Sequence, residues 1–322
     1  MRKITILMPH RFMLSSLAIP LDAFKGAGVY WNILNDREPE PLFEVKTVSI
    51  DGNPVQTYDG LELKPDGSIQ DVKDSETILI PPSDASEALR PEEVEWIMTA
   101  HARGAHIASI CLGAFLLAKT GLLDGKTATT HWGYVNRFRK EFPAVRLKPD
   151  KIITDEGNMF CTGGANAGGD LSLYLIAKYV SWEVAHQTAR VMLMDADRIS
   201  QSPYSTFRFD KSHGDKQILD IQFWLEDNFS EDVTVEQLAE KVGMSRRTFE
   251  RRFKDITGDS PRRCIQRIRV EKAKRFLELG GKTFDEITYL VGYEDSSTFS
   301  RVFKKSTGLT PNLYRRKYNQ TC

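Results

Sequence analysis

This 322-residue chain has no net charge, with 44 Lys and Arg balancing 44 Asp and Glu, so its overall composition offers no sign of a polyanionic partner. It has no apolar run approaching the ~20 residues of a membrane-spanning helix. Its opening, Met1-Arg-Lys-Ile-Thr-Ile-Leu-Met-Pro, starts basic but lacks the apolar stretch of a signal peptide. The expectation is a cytoplasmic chain with no membrane partner. Cysteine is scarce too: Cys111, Cys161, Cys264 and Cys322 show no paired spacing. That argues against a disulfide framework and a zinc site, and predicts free thiols with no metal or cofactor.

The neutral total conceals an uneven distribution. From Lys241 to Cys322 there are 20 Lys and Arg against 9 Asp and Glu, so the rest of the chain is net acidic. Local charge, not the total, sets the field at a surface. Within the basic region one pattern occurs twice. Phe249, Phe253, Gly258 and Pro261 recur as Phe299, Phe303, Gly308 and Pro311 at an offset of fifty, while Gly243 recurs as Gly292 at forty-nine. The second turn is therefore one residue longer.

In each copy a short apolar-periodic helix (Leu238, Ala239, Val242; Ile287, Leu290, Val291) stops at a glycine. A second helix follows at once, with Ser245 as N-cap in the first copy and Asp295 or Ser296 in the second. Helix, tight turn, helix is the DNA-binding supersecondary unit. With the phenylalanines inward, Arg246, Arg247, Glu250, Arg251 and Lys254 are left outside in the first copy. Ser296, Ser297, Ser300, Arg301, Lys304 and Lys305 are left outside in the second. Arginine reads guanine bidentately and hydroxyls serve several base edges, so these faces suit double-stranded DNA. Charges that merely solvate a helix would explain neither the duplication nor the glycine turns. Between the copies, Ser260 to Leu279 reads as one helix of roughly 30 Å, near the ~34 Å between successive major-groove faces.

These residues, from Gln217 to Tyr318 and including Gly308-Leu-Thr-Pro311-Asn-Leu-Tyr314-Arg315, resemble the AraC/XylS-type transcriptional regulators. The resemblance implies base-facing roles for Arg247, Glu250 and Arg251 in the first unit, and for Ser297, Ser300 and Arg301 in the second.

The first two hundred residues alternate strand and helix. Apolar runs at Ile4–Met8, Phe43–Val48, Thr77–Ile80 and His106–Ile110 are interspersed with helical segments at Ser16–Phe24, Pro91–Arg103 and Leu112–Thr120. This predicts a flavodoxin-like α/β domain, its mostly parallel sheet covered by helices on both faces, ahead of an all-α domain with two helix-turn-helix units. Ser109-Ile-Cys111-Leu112-Gly113 places a cysteine between strand and helix in the frame of a nucleophile elbow, where a helix N-terminus favours thiolate. His131 and Trp132 follow twenty residues on. The turn Cys161-Thr-Gly163-Gly164-Ala-Asn166-Ala-Gly168-Gly169-Asp170 is expected to offer backbone N–H groups to a small ligand.

Together with Pro20-Leu-Asp22-Ala-Phe24, these residues resemble the PfpI/ThiJ superfamily, related to class I glutamine amidotransferases, and especially its GlxA-type branch fused to AraC-type domains. The resemblance implies a ligand site of Asp22, Cys111, Leu112, His131, Trp132 and Gly164, with Asp22 as the acid beside the thiol. It also implies small nitrogenous metabolites as effectors and pairing into a homodimer. Taken singly, Cys111 and His131 read equally as core residues, and Trp132 and Tyr134 as core or platform.

The expected organisation is a sensor domain over 1–194, a linker over 195–214 and a DNA-binding domain over 215–322. The expected function is metabolite-responsive DNA binding without catalysis. The alternative is a first domain that still hydrolyses amides or consumes aldehydes through Cys111. Leu112 stands where protease-like relatives have a histidine, which weakens that alternative.

Overall fold

The computed structural model describes residues 1–83, 90–196 and 198–319, so Asp197 and Cys322 lie outside the described residues. The chain divides into two compact units, the first running from Met1 to Gln201 and the second beginning at Ser202.

The strands of the first unit are β1 (Arg2–Leu7), β2 (Phe43–Ser49), β3 (Val55–Gln56), β4 (Glu62–Leu63), β5 (Gly67–Ser68), β6 (Thr77–Ile80), β7 (His106–Ile110), β8 (Thr127–Ala128), β9 (Arg146–Leu147), β10 (Ile153–Asp155) and β11 (Met159–Thr162). Seven of them form the main sheet, in the order β10-β11-β7-β6-β1-β2-β5. All neighbours in it are parallel except the edge pair β10 and β11. Apart from the two edge strands β5 and β10, this is the flavodoxin-like order, in which ligands bind beyond the carboxyl ends of the strands.

The helices of this unit are α1 (Ser15–Gly26), α2 (Tyr30–Leu34), α3 (Pro91–Ala102), α4 (Gly113–Lys119), α5 (Val135–Glu141), α6 (Ala167–Tyr179) and α7 (Trp182–Val191). Alternation along the buried strands sends Leu79, Ala108 and Ile110 to one face, where Leu17, Phe24, Leu171 and Ile176 of α1 and α6 meet them. Ile78, Ile80 and Ile107 go to the other, against Ile97, Phe115 and Phe138 of α3, α4 and α5. Both faces are covered, as the near-continuous apolar strands require.

The second unit is helical: α8 (Lys216–Asp227), α9 (Val235–Lys241), α10 (Arg246–Thr257), α11 (Pro261–Leu279), α12 (Phe284–Leu290), α13 (Ser296–Thr307) and α14 (Pro311–Tyr318). The duplication holds at the level of caps. Gly258 and Gly308 end α10 and α13 in the left-handed conformation (φ 78° and 76°). Ser260 and Thr310 then cap α11 and α14, each with proline in the first turn. Each copy closes its own core, one around Leu238, Phe249 and Phe253, the other around Ile287, Phe299 and Phe303. Helix α11 serves both: Ile265 and Ile268 enter the first core, Val270, Ala273 and Leu277 the second.

The stretch read as a linker divides between the units. Arg198 pairs with Asp170, and Gln201 is buried in the first unit. Phe207 and Phe209 pack on the first helical core.

Candidate effector site and DNA-reading surface

Cys111 sits in an elbow. It follows β7, has φ 56°, and is separated from α4 by one residue. A non-glycine residue held at positive φ is strained and persists only where its surroundings over-determine it. Here the Cys111 N–H donates to the Thr162 carbonyl at 3.0 Å, and the Thr130 hydroxyl donates to the Cys111 carbonyl at 3.0 Å. Gly113 completes the clamp, because a Cβ there would lie 2.2 Å from the Ile80 carbonyl oxygen. The frame read from sequence is therefore a close approach of backbones that only glycine permits.

The state of the thiol corrects the sequence expectation. Burial pushes the Cys111 thiol up to about 12, and the Leu112 N–H opposes this without reversing it. Desolvation disfavours the thiolate more than one amide dipole favours it, so Cys111 is a neutral thiol near pH 7. No base is hydrogen-bonded to it among the described residues. His131 Nδ1 accepts the Gly133 N–H at 3.1 Å, capping its own short turn, and burial holds its imidazole below the usual histidine value.

Asp22 is exposed, whereas Ser16, Leu17, Pro20, Ala23 and Phe24 form the buried face of α1. Helical geometry places residue 22 away from that face, so its carboxylate faces solvent. The glycine-rich turn departs in part from the sequence expectation. Gly163, Ala167, Gly168 and Gly169 spend their N–H groups on backbone carbonyls. Only Gly164, Ala165 and Asn166 have amides without a protein partner among the described residues.

Two of the remaining candidates are ring neighbours. His131 and Trp132 are half-buried, with rings 5.1 Å apart, and Tyr134 meets the His131 ring edge-on at 6.0 Å. Leu112 is half-buried in the elbow turn. Sequence reasoning missed the residue that ties this loop down. Gln201, 4% exposed, donates from Nε2 to the Thr129 hydroxyl (3.1 Å), the Thr130 carbonyl (2.9 Å) and the Lys151 carbonyl (3.1 Å). Its Oε1 accepts the Trp132 N–H at 3.1 Å. It also fills the space over Gly163, where a Cβ would lie 2.7 Å from its amide group. An isolated glutamine in a polar stretch gave no signal of this.

In the second unit Ser245 caps α10 by accepting the Thr248 N–H. Asp295, not Ser296, caps α13, accepting from the Ser297 and Thr298 amides. Arg246, Arg247, Arg251 and Lys254 are exposed on α10, with Glu250 half-exposed. Ser297, Arg301, Lys304 and Lys305 are exposed on α13, with Ser296 and Ser300 half-exposed. Four of these side chains have local partners. Arg246 forms ion pairs with Glu236 of α9 and with Glu250, the Ser297 hydroxyl donates to the Asp295 carboxylate at 2.8 Å, and Arg301 donates to Thr298 Oγ1 at 3.2 Å. Such exposed contacts are weak and leave both guanidinium groups available to phosphate.

Comparison with known proteins gives both halves the same reading. The DJ-1/PfpI family profile matches residues 2–167, and a helix-turn-helix domain profile matches residues 238–317. The HTH-type transcriptional regulator GbdR of Pseudomonas aeruginosa is 24% identical over 317 residues, covering 98% of this chain and 84% of that protein. The HTH-type transcriptional regulator GlxA of Rhizobium meliloti is 24% identical over 328 residues, covering 98% and 96%. An isonitrile hydratase of Pseudomonas putida is 33% identical over 147 residues, covering 45% of this chain and 63% of the enzyme. The crystal structure of an AraC family transcriptional regulator from Pseudomonas putida superposes with a TM-score of 0.52 at 19% identity. It covers 60% of this chain and 100% of that one.

Proposed function

The chain belongs to the DJ-1/PfpI family and carries an AraC-type helix-turn-helix region, and from that pairing we propose a transcriptional regulator whose DNA affinity is set by a small effector. DNA binding falls to residues 215–322 and effector binding to residues 1–194, with 195–214 between them. The observation that carries the sensor assignment is the state of Cys111. The strained elbow is kept, while burial holds its thiol neutral and no base among the described residues is bonded to it. That geometry supports recognition without supplying a nucleophile. A regulator needs differential affinity between two states and no turnover. Relatives that match nearly the whole chain are regulators, whereas the hydratase matches less than half of it.

The proposed effector site comprises Asp22, Cys111, Leu112, His131, Trp132 and Gly164. The His131, Trp132 and Tyr134 rings favour a small nitrogenous cation, which aromatic faces attract. Asp22, exposed on α1, is the acidic member of the proposed set. The protein is proposed to work in the cytoplasm as a homodimer paired through its first unit.

The test is a thermal-shift screen of amino acids and quaternary amines on the full chain, followed by operator affinity with each stabilising compound. A compound that raises the melting temperature and changes operator affinity, with both effects lost in Cys111→Ala, is the expected result. Multiple turnovers of an amide or aldehyde, abolished by the same substitution, would overturn the sensor assignment.

A further inference from the structure

The two glycines that end the first helices of the repeat do different work. A Cβ on Gly243 would meet nothing within 4 Å. A Cβ on Gly292 would lie 2.3 Å from the Ser230 carbonyl oxygen. Both have positive φ (64° and 81°), so both suit glycine as a helix stop, yet only the second turn is pressed against another segment. That segment, Phe229-Ser230-Glu231, belongs to the loop before α9, and the Phe229 side chain packs against both helical cores.

Arg269 holds this junction. It lies on α11 between Ile268, the last residue given to the first core, and Val270, the first given to the second. Its guanidinium donates from Nε to the Phe229 carbonyl (2.7 Å), from Nη2 to the Glu231 carbonyl (2.8 Å) and from Nη1 to the Gly292 carbonyl (2.9 Å). Its Cζ also sits 5.2 Å from the centre of the Tyr293 ring. One planar group thus ties the loop of the first half to the turn of the second, a fork that a lysine ammonium cannot reproduce.

We propose that Arg269, with the Gly292 turn docked on Ser230, is the positioning residue that fixes the spacing between the two DNA-reading helices, α10 and α13. Helix α11 runs through both cores and by itself would leave a rotation about its axis to be restrained. The Arg269 clamp supplies that restraint at a second place. The extra residue in the second turn follows: that turn has a docking role that the first lacks. One base pair added between half-sites shifts them by ~3.4 Å and rotates them by roughly 34°, which a clamped pair of helices does not follow.

This rests on the reading that both helix-turn-helix units contact DNA, and the experiment separates the two. The full chain selects from a random duplex library, and the recovered motif is read as two base-preference blocks and the spacing between them. Wild type is expected to recover two blocks at one spacing. Arg269→Met and Arg269→Lys should recover the same two blocks spread over spacings differing by one or two base pairs. On matched duplexes, wild type should bind the native spacing at least tenfold tighter than a one-base-pair insertion, and the variants less than threefold. Melting curves of the variants confirm folding, and Gly292→Ala, which presses a methyl onto Ser230, gives an independent variant with the same expected spread. A single spacing in all folded variants, or a uniform loss of affinity at every spacing, overturns the clamp. One block alone in wild type overturns the reading of two contacting units, and the clamp with it.

Discussion

Gln201→Ala tests whether the loop beneath the elbow is held from the end of its own unit. The wild-type amide makes four contacts, but Nε2 carries only two hydrogens for three acceptors, so about three full bonds are at stake. At ~1 kcal/mol net for each buried bond, truncation should destabilise the closed loop by about 3 kcal/mol. Water entering the vacated volume brings the lower bound to ~1.5 kcal/mol. The loop, not the whole unit, should feel this first, so the assay is hydrogen exchange at the Trp132 amide. A loss of about 3 kcal/mol corresponds to roughly hundredfold faster exchange there, with β7 unaffected. Gln201→Glu sharpens the test because it keeps the shape and the acceptor for Trp132 but turns an oxygen toward the Thr130 and Lys151 carbonyls. Burial against those oxygens raises the new carboxyl's folded pKa, so its stability contribution is present below about pH 4.3 and lost as pH rises through the raised value. Gln201→Glu should therefore resemble wild type near pH 4 and be worse than Gln201→Ala at pH 7. An effect of Gln201→Ala below 0.5 kcal/mol, with unchanged exchange at Trp132, would refute the argument.

The remaining predictions concern DNA reading and the thiols. Arg251→Ala should cost ~1–3 kcal/mol at one base step if it reads guanine, whereas Lys304→Ala should weaken binding to all sequences alike and reduce the salt slope by about one. Competition assays on specific and random duplexes check both, and equal losses for the two variants would sink the assignment of roles. Cys111 and Cys161 are pushed up to about 12 and about 11 by burial, so they stay protonated in the fold while unfolded thiols ionise near pH 8.5–9. Their stabilising contribution is complete below that value and declines above it by ~1.4 kcal/mol per pH unit for each thiol. Melting of the first unit between pH 7.5 and 10.5 should show that fall, shallower by one proton in Cys111→Ala. Rapid alkylation of Cys111 at pH 8 in the folded protein would contradict its burial.

What was legible in the sequence was what backbone geometry dictates. The strand at Thr77–Ile80 and the helix running to Leu279 were readable because apolar runs, Pro-Pro and Ser-Pro mark their ends chemically. The elbow was readable because Cys111 stands between small residues and Gly113, and only such a frame lets one backbone approach another this closely. The side-chain environment was not. Whether a helix N-terminus makes a thiolate depends on how much apolar surface surrounds the sulfur, which is set by segments far away in sequence. Gln201 lies in a stretch that reads as linker because its partners, Thr129, Thr130, Trp132 and Lys151, are fifty or more residues away. The same limit applied to Gly292, whose difference from Gly243 showed in sequence only as a broken offset.

The strain at Cys111 is informative because it holds a buried thiol with no base hydrogen-bonded to it among the described residues. Holding a residue at φ 56° costs of order 1–3 kcal/mol, and the bonds from Thr130 and to Thr162 and the packing of Gly113 on Ile80 are what maintain it. In an enzyme that cost exposes a reactive atom. Here the atom is buried and held toward its protonated form, so on the proposed reading the strained turn is the element on which a small ligand would exert its differential affinity. Thr130, which bonds the strained carbonyl, is itself bonded through its own carbonyl to Gln201, the last residue before the second unit begins. On the proposed reading a ligand that relaxes or tightens the elbow acts on Gln201 through one intervening residue. The effector response should therefore vanish in Gln201→Ala while basal operator affinity, which depends on the caps and cores of the second unit, stays within twofold of wild type. A variant that kept its full effector response would show that the signal leaves the first unit by another route.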